Sequence, residues 1–303
     1  MGLPRLRPFA VLSLAAVVCA TLLLALFFAG FPATEVPSSE HPRQVKYGLT
    51  LKNKTNTLIG PGELWVYAPV PETAFQTSAA VTASLPFQIH TDLPGNQILN
   101  IPIDALPPFA TRVVHITAPL TLYDPARKVT VNNSQIYLDP EPFVESNHPD
   151  IVRLAGELKQ SSPGRTAQRI YEWVSTRITS SGYTTHRLGA HHALTARKGD
   201  CTEFTDLFTA LCRAAGIPAR GMGGYICPGN CVFRPSEYHN WAEVRIDSTW
   251  VVADCQKKVF SRNAAQYIAV NIISDHAAPA MKGYQRFRYQ GPGGRGISVR
   301  MNR

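Results

Sequence analysis

The stretch Gly199-Asp200-Cys201-Thr202-Glu203-Phe204 constrains this chain more than any other, because it specifies a helix start with a thiol in the first turn. Asp200 is a capping residue type, and Glu203 stands three positions on, the spacing at which two side chains can each satisfy an orphan backbone donor. Apolar residues then recur at Phe204, Leu207, Phe208, Leu211 and Ala215, one face of a 3.6-residue helix. Gly216 supplies a left-handed stop and Pro218 forbids continuation. At such a terminus the unpaired N–H groups and the positive end of the macrodipole favour a thiolate. Cys201 therefore reads as a nucleophile that opens a core helix.

Two downstream stretches supply what a cysteine nucleophile lacks. His239 begins the alternating run His-Asn-Trp-Ala-Glu-Val-Arg-Ile, and Asp254 ends Thr-Trp-Val-Val-Ala-Asp after an Asp247-Ser248 turn. Both runs read as strands, and adjacent antiparallel strands can hold His and Asp side by side. A base that touches the thiol, with a third group fixing its tautomer, is the logic of a Cys-His-Asp triad.

These three blocks, in this order, resemble the transglutaminase-like superfamily of papain-like thiol enzymes, in the manner of a bacterial-type membrane-anchored member. The resemblance rests on Gly-Asp-Cys-x-Glu-Phe with Leu-Phe-x-Ala-Leu-Cys-Arg-Ala-Ala-Gly-Ile-Pro-Ala-Arg, then His-x-Trp-x-Glu-Val, then Trp-x-x-x-Asp, and covers roughly residues 140 to 260. It implies Cys201 as nucleophile, His239 as general base and Asp254 as its orienter. It also matches Arg220 and the glycines after it to a strand beside the site, where small residues let backbones approach.

Around that centre the chain divides. Phe9 to Phe31 carries no charge and follows Arg5 and Arg7, a run long enough to span a bilayer as a helix. No convincing cleavage site follows it, so an uncleaved anchor over residues 1–34 is preferred to a removed signal peptide. The basic flank would stay in the cytoplasm, leaving the remainder periplasmic or at the cell surface. Pro32 to Pro42 is a Pro- and Ser-rich linker. In residues 43–122 short alternating runs, Val45-Tyr47-Leu49-Leu51 and Leu64 to Tyr67 among them, are broken by frequent Pro and Gly, which implies a β-sandwich module. Residues 138–303 form the expected catalytic domain. Helices are expected at Ile151-Leu154-Ala155-Leu158 and Ile170-Trp173-Val174-Ile178, and Tyr267 to Ile273 and the segments after it read as late strands of its sheet. The fold class is thus α+β, a β-sandwich followed by a papain-like domain.

The net charge of +9 is concentrated after Asp275, where no acidic residue occurs. Such a tail suits an anionic surface or acidic polymer as well as it suits a solvated edge. Nucleic acid is not expected as a partner, since no recognition motif is present. Cys227-Pro-Gly-Asn-Cys231 brackets a turn and suits a small disulfide in an oxidising compartment, while Cys212 falls on the buried face of the helix. No cofactor motif is found, and neither His191-His192 nor Cys255 has metal-ligand spacing. The expected function is an extracytoplasmic thiol enzyme that acts on amide or peptide bonds of peptides or proteins, envelope peptides included, through a Cys201 acyl-enzyme. Hydrolysis is favoured. The alternatives are protein cross-linking at glutamine and a non-catalytic scaffold.

Overall fold

The computed structural model describes residues 39–129, 134–184, 186–277, 279–292 and 296–302. The apolar run Phe9 to Phe31 lies outside them. Among the described residues no helix is long and apolar enough to cross a membrane.

The N-terminal region is built from two antiparallel sheets that share one core. In the first, β1 (Ser39–Asn53) runs against β4 (Thr111–Asp124) in continuous register from Ser39↔Asp124 to Lys52↔Thr111. In the second, β2 (Gly62–Ala68) pairs with β3 (Gln97–Ile103). The alternation legible in β1 is realised: Val45, Tyr47, Leu49 and Leu51 are buried, while Lys46 and Lys52 face solvent. They meet Leu64 and Val66 from β2, Leu99 and Ile101 from β3, and Val114 and Ile116 from β4. Period-two patterning has one cause here, a sheet with one face buried and one face wet.

Helices follow. α1 (Pro149–Leu158) and α2 (Pro163–Arg177) start where Pro stands at the first helical position, with His148 and Ser162 as caps. α3 (Ala190–Ala196) delivers the chain to α4 (Cys201–Ala214). The expected apolar face of α4 is buried, yet Thr205, Asp206, Thr209 and Arg213 are buried as well. α4 is enclosed on all sides, so its polar residues need partners. Asp206 receives a bidentate ion pair from Arg187, Nε to Oδ2 at 2.9 Å and Nη2 to Oδ1 at 2.7 Å. Arg213 donates to Glu141 Oε1 at 2.8 Å and to the Ala219 carbonyl at 2.9 Å.

The second part of the chain carries an antiparallel sheet in which β5 (Ala219–Ile226) lies between β6 (His239–Ile246) and β8 (Tyr267–Ile273), and β7 (Thr249–Asp254) pairs on the far side of β6. A Cβ on Gly224 would collide with the Ile268 carbonyl, so β5 and β8 approach each other only because that position is glycine.

The late strands differ from expectation. β8 joins the catalytic sheet, but β9 (Phe287–Gln290) pairs with β2, and β10 (Ile297–Met301) pairs with β1. Cys231–Val232 also lies parallel to β1, and Phe233 is buried between Tyr47 and Tyr225, its ring centroid 3.9 Å from that of Tyr225. Alternating side chains identify a strand without naming its sheet, since pairing partners are set by contacts remote in sequence. Ser38 to Arg303 accordingly forms one compact unit.

Candidate active site

Three elements converge on Cys201. α4 places it at the first helical position, part-exposed, with Asp200 as cap. The capping box forms: Thr202 N donates to Asp200 Oδ1 at 2.8 Å, and Asp200 N donates to Glu203 Oε2 at 3.0 Å. Asp200 Oδ2 accepts from Thr184 N at 2.9 Å and from its hydroxyl at 3.0 Å, and Glu203 Oε1 accepts from Leu188 N at 3.0 Å. One pair of acids therefore caps the helix and also holds Thr184 and Leu188.

β6 places His239 at its first residue and β7 places Asp254 at its last. Because the strands are antiparallel neighbours, the start of one lies beside the end of the other, as Ala242↔Ala253 shows. His239 Nε2 lies 2.7 Å from Asp254 Oδ2, and Cys201 is near enough to the same imidazole to bear on its charge. With Nε2 committed to the carboxylate, Nδ1 is the ring nitrogen left for the thiol. Burial pushes the His239 pKa down, but the hydrogen bond to Asp254 and the nearby Cys201 outweigh it and raise the value to about 9. The structure thus brings together all three residues singled out in the sequence.

It also supplies partners that the sequence did not identify. Tyr267 from β8 donates to Asp254 Oδ2 at 3.0 Å, and Lys257 N donates to Oδ1 at 2.9 Å, so both carboxylate oxygens are held. Asn240 Nδ2 donates to Thr202 Oγ1 at 3.1 Å and to Gln285 Oε1 at 3.3 Å, joining α4 to the His239 strand. Trp241 is buried, with its ring 5.1 Å from that of Tyr267, and is a core aromatic that supports the Tyr267-Asp254 contact. Cys227 and Cys231 form the expected disulfide, and Cys212 and Cys255 are buried free thiols.

Residues 152–255, which include Cys201, His239 and Asp254, match the family model of the transglutaminase-like superfamily. This segment is a transglutaminase-like domain. Among solved structures, a candidate cysteine protease from Cytophaga hutchinsonii aligns with a TM-score of 0.57 at 17% identity, over 87% of this chain and 91% of that one. That likeness is one of fold. The periplasmic domain of TgpA from Pseudomonas aeruginosa, bound to ethylmercury, aligns with a TM-score of 0.41 at 15% identity, over 73% of this chain and 93% of that one. No curated protein matches this chain.

Within the transglutaminase-like domain, Arg220 is committed to Glu243, Nη2 to Oε2 at 2.6 Å and Nε to Oε2 at 2.9 Å, with its guanidinium 4.2 Å over the Trp250 ring. Both side chains are buried, so the pair ties β5 to β6 beneath the site. The loop after Cys227 is fastened to β1 by Phe233 N, which donates to the Lys46 carbonyl at 2.8 Å. One grouping was not recognised in the sequence, where His191 was set aside for lack of ligand spacing: His148, Asp150 and His191 place one ligand atom each within 4.8 Å of one another.

Proposed function

We propose that this protein is a cysteine enzyme that cleaves amide or peptide bonds through an acyl-enzyme on Cys201. The observation that carries this reading is the thiol at the start of α4 grouped with an imidazole that is itself held by Asp254 at 2.7 Å. In the first half-reaction the thiolate attacks the carbonyl carbon and the C–N bond breaks. His239 gives its proton to the departing amine. The backbone N–H of Cys201, at the start of α4, is directed at the developing oxyanion. In the second half-reaction His239 removes a proton from water, which attacks the thioester and frees the acid and the thiol. Asp254, held by Tyr267 and Lys257 N, keeps the imidazole oriented and compensates its charge throughout.

Hydrolysis is preferred over cross-linking because a dedicated amine acceptor needs its own approach to the thioester. Of the residues that could line one, Trp241 is sealed in the core and Glu243 is neutralised by Arg220, which leaves only exposed Glu237. The sheets of residues 43–122, joined by Phe287–Gln290 and Ile297–Met301, serve as a supporting module for the catalytic residues within 138–303. The apolar run within residues 1–34 and the Cys227–Cys231 bond support a membrane-anchored chain whose described part faces an oxidising, extracytoplasmic compartment.

The reading is tested by supplying an envelope-derived peptide amide with and without a labelled primary amine. Release of free acid that depends on Cys201 and outpaces amine incorporation is the expected result. Stable incorporation exceeding acid release at modest amine concentration would move the assignment to cross-linking.

A further inference from the structure

The helical layer holds a group of side chains that the proposed thiol chemistry does not use. His148 caps α1, Asp150 lies in its first turn, and His191 lies in the first turn of α3, 41 residues further along. Asp150 Oδ2 is 3.3 Å from His191 Nε2 and 3.8 Å from His148 Nδ1, and the two imidazoles stack with centroids 3.8 Å apart. Stacked imidazoles facing one carboxylate oxygen are an uneconomical way to join two helices, because ion pairs as exposed as these contribute little. Two imidazoles and one carboxylate are also the donor types of a zinc site.

The surroundings orient each donor. Arg153 Nη2 stands 3.5 Å from Asp150 Oδ1, which leaves Oδ2 as the oxygen that faces both rings. Glu145 Oε2 accepts from Ala190 N at 2.8 Å and from His191 N at 3.2 Å, fixing the turn that carries His191. His148 Nδ1 accepts from Asp150 N at 3.2 Å, so its lone pair caps α1 while the site is empty, and an ion bound there takes that lone pair in place of the N–H. In a tetrahedral zinc site with bonds of about 2.0–2.1 Å, neighbouring donors sit about 3.3 Å apart. Two of the pairs here are at or near that separation, and the widest pair must close by at most about 1.5 Å.

We infer that His148, Asp150 and His191 form a binding site for a divalent transition-metal ion of the zinc class. Two imidazoles and one carboxylate suit Zn2+, with water completing the coordination, and disfavour Mg2+ and Ca2+, which take oxygen donors. The ion would clamp the first turn of α1 to the first turn of α3. Since α3 leads through Lys198–Gly199 directly into Cys201, the clamp would fix the segment that presents the nucleophile. The inference does not depend on what Cys201 does.

The test uses the full chain carrying Cys201→Ala, which removes the one part-exposed free thiol among the described residues and with it a competing zinc ligand. Zn2+ affinity is read by competition with a chromogenic chelator, and the donor set is read from Co2+ absorption. One equivalent of Zn2+ bound at micromolar or tighter affinity is expected, with four-coordinate Co2+ bands lacking thiolate charge transfer. His148→Ala, Asp150→Asn and His191→Ala should each weaken binding at least about tenfold, and His192→Ala should leave it unchanged. These side chains are half-exposed, so the variants should fold, and unchanged circular dichroism confirms that comparison. Affinity weaker than millimolar, or affinity indifferent to all three substitutions, would overturn the site.

Discussion

Asn240 and Thr202, the residues that immediately follow His239 and Cys201, are joined by a hydrogen bond of 3.1 Å from Nδ2 to Oγ1. Cys201 and His239 belong to different elements, α4 and β6, so their mutual placement depends on how helix and strand are fastened. This bond fastens them one residue from the chemistry. Small misplacements of reacting groups cost large factors in rate.

Removing the fastening should therefore slow the reaction without unfolding the protein. Asn240→Ala and Thr202→Val are each expected to lower kcat by about tenfold, the scale of one lost hydrogen bond at a positioned site. The double variant should be no worse than Asn240→Ala alone, since Thr202→Val deletes a contact that Asn240→Ala already removes. Steady-state kinetics of the four proteins measures this. Additive losses would show that the two residues act separately.

The pH dependence follows from His239. Its folded pKa of about 9 lies above the value of an exposed imidazole. A raised histidine contributes stability that is fully present below pH about 6.5 and is lost as pH rises through about 9. Stability should thus fall by on the order of 3 kcal/mol across that window, and His239→Ala should lack that slope. kcat/KM should show an alkaline limb near pH 9, because the imidazolium that protonates the leaving amine disappears there. Asp254→Asn removes one of the groups that hold the proton and should move the limb to lower pH.

The Arg220–Glu243 pair gives a stability prediction that is separate from catalysis. Both groups are buried, so Glu243→Leu strands a guanidinium in the core and should cost about 3–5 kcal/mol. Arg220→Met combined with Glu243→Leu leaves no charge behind and should recover most of that loss. Thermal unfolding of the singles and the double distinguishes this from a simple packing defect, in which the double would be the worst of the three.

Thiol accessibility follows from burial. Among the described residues Cys201, Cys212 and Cys255 are free and only Cys201 is part-exposed, while Cys227 and Cys231 are bonded to each other. Burial raises the pKa of both Cys212 and Cys255, which suppresses their thiolates further. Alkylation of the folded protein should therefore modify Cys201 among these three, and non-reducing denaturation should expose Cys212 and Cys255 but leave 227 and 231 unmodified. Peptide mapping reads each position.

Much of this architecture was legible because it is local. The box at Asp200 and Glu203, the stop at Gly216 and the alternation of β1 are written in residues a few positions apart. The grouping of Cys201, His239 and Asp254 was legible because these residues open a helix, open a strand and close the next one. What escaped notice depends on contacts remote in sequence. Nothing near Tyr267 announces that its hydroxyl will meet Asp254, and nothing near Arg187 announces that Asp206 will need it. The enclosure of α4 hid Asp206 and Arg213 in the same way, since the helical period shows which face is most apolar and not whether the other faces are covered. β9 and β10 illustrate the same limit, because their pattern identifies strands and leaves open that these pair with β2 and β1.

The most direct test of the account is to mix the protein with an activated acyl substrate, quench within one turnover and determine the mass and site of the adduct. The account predicts an acyl group on Cys201 that forms before the acid is released. It also predicts that the adduct decays at the rate of turnover, persists longer in His239→Ala and is absent in Cys201→Ala. Turnover that survives in Cys201→Ala, or that proceeds without any adduct on Cys201, would contradict it.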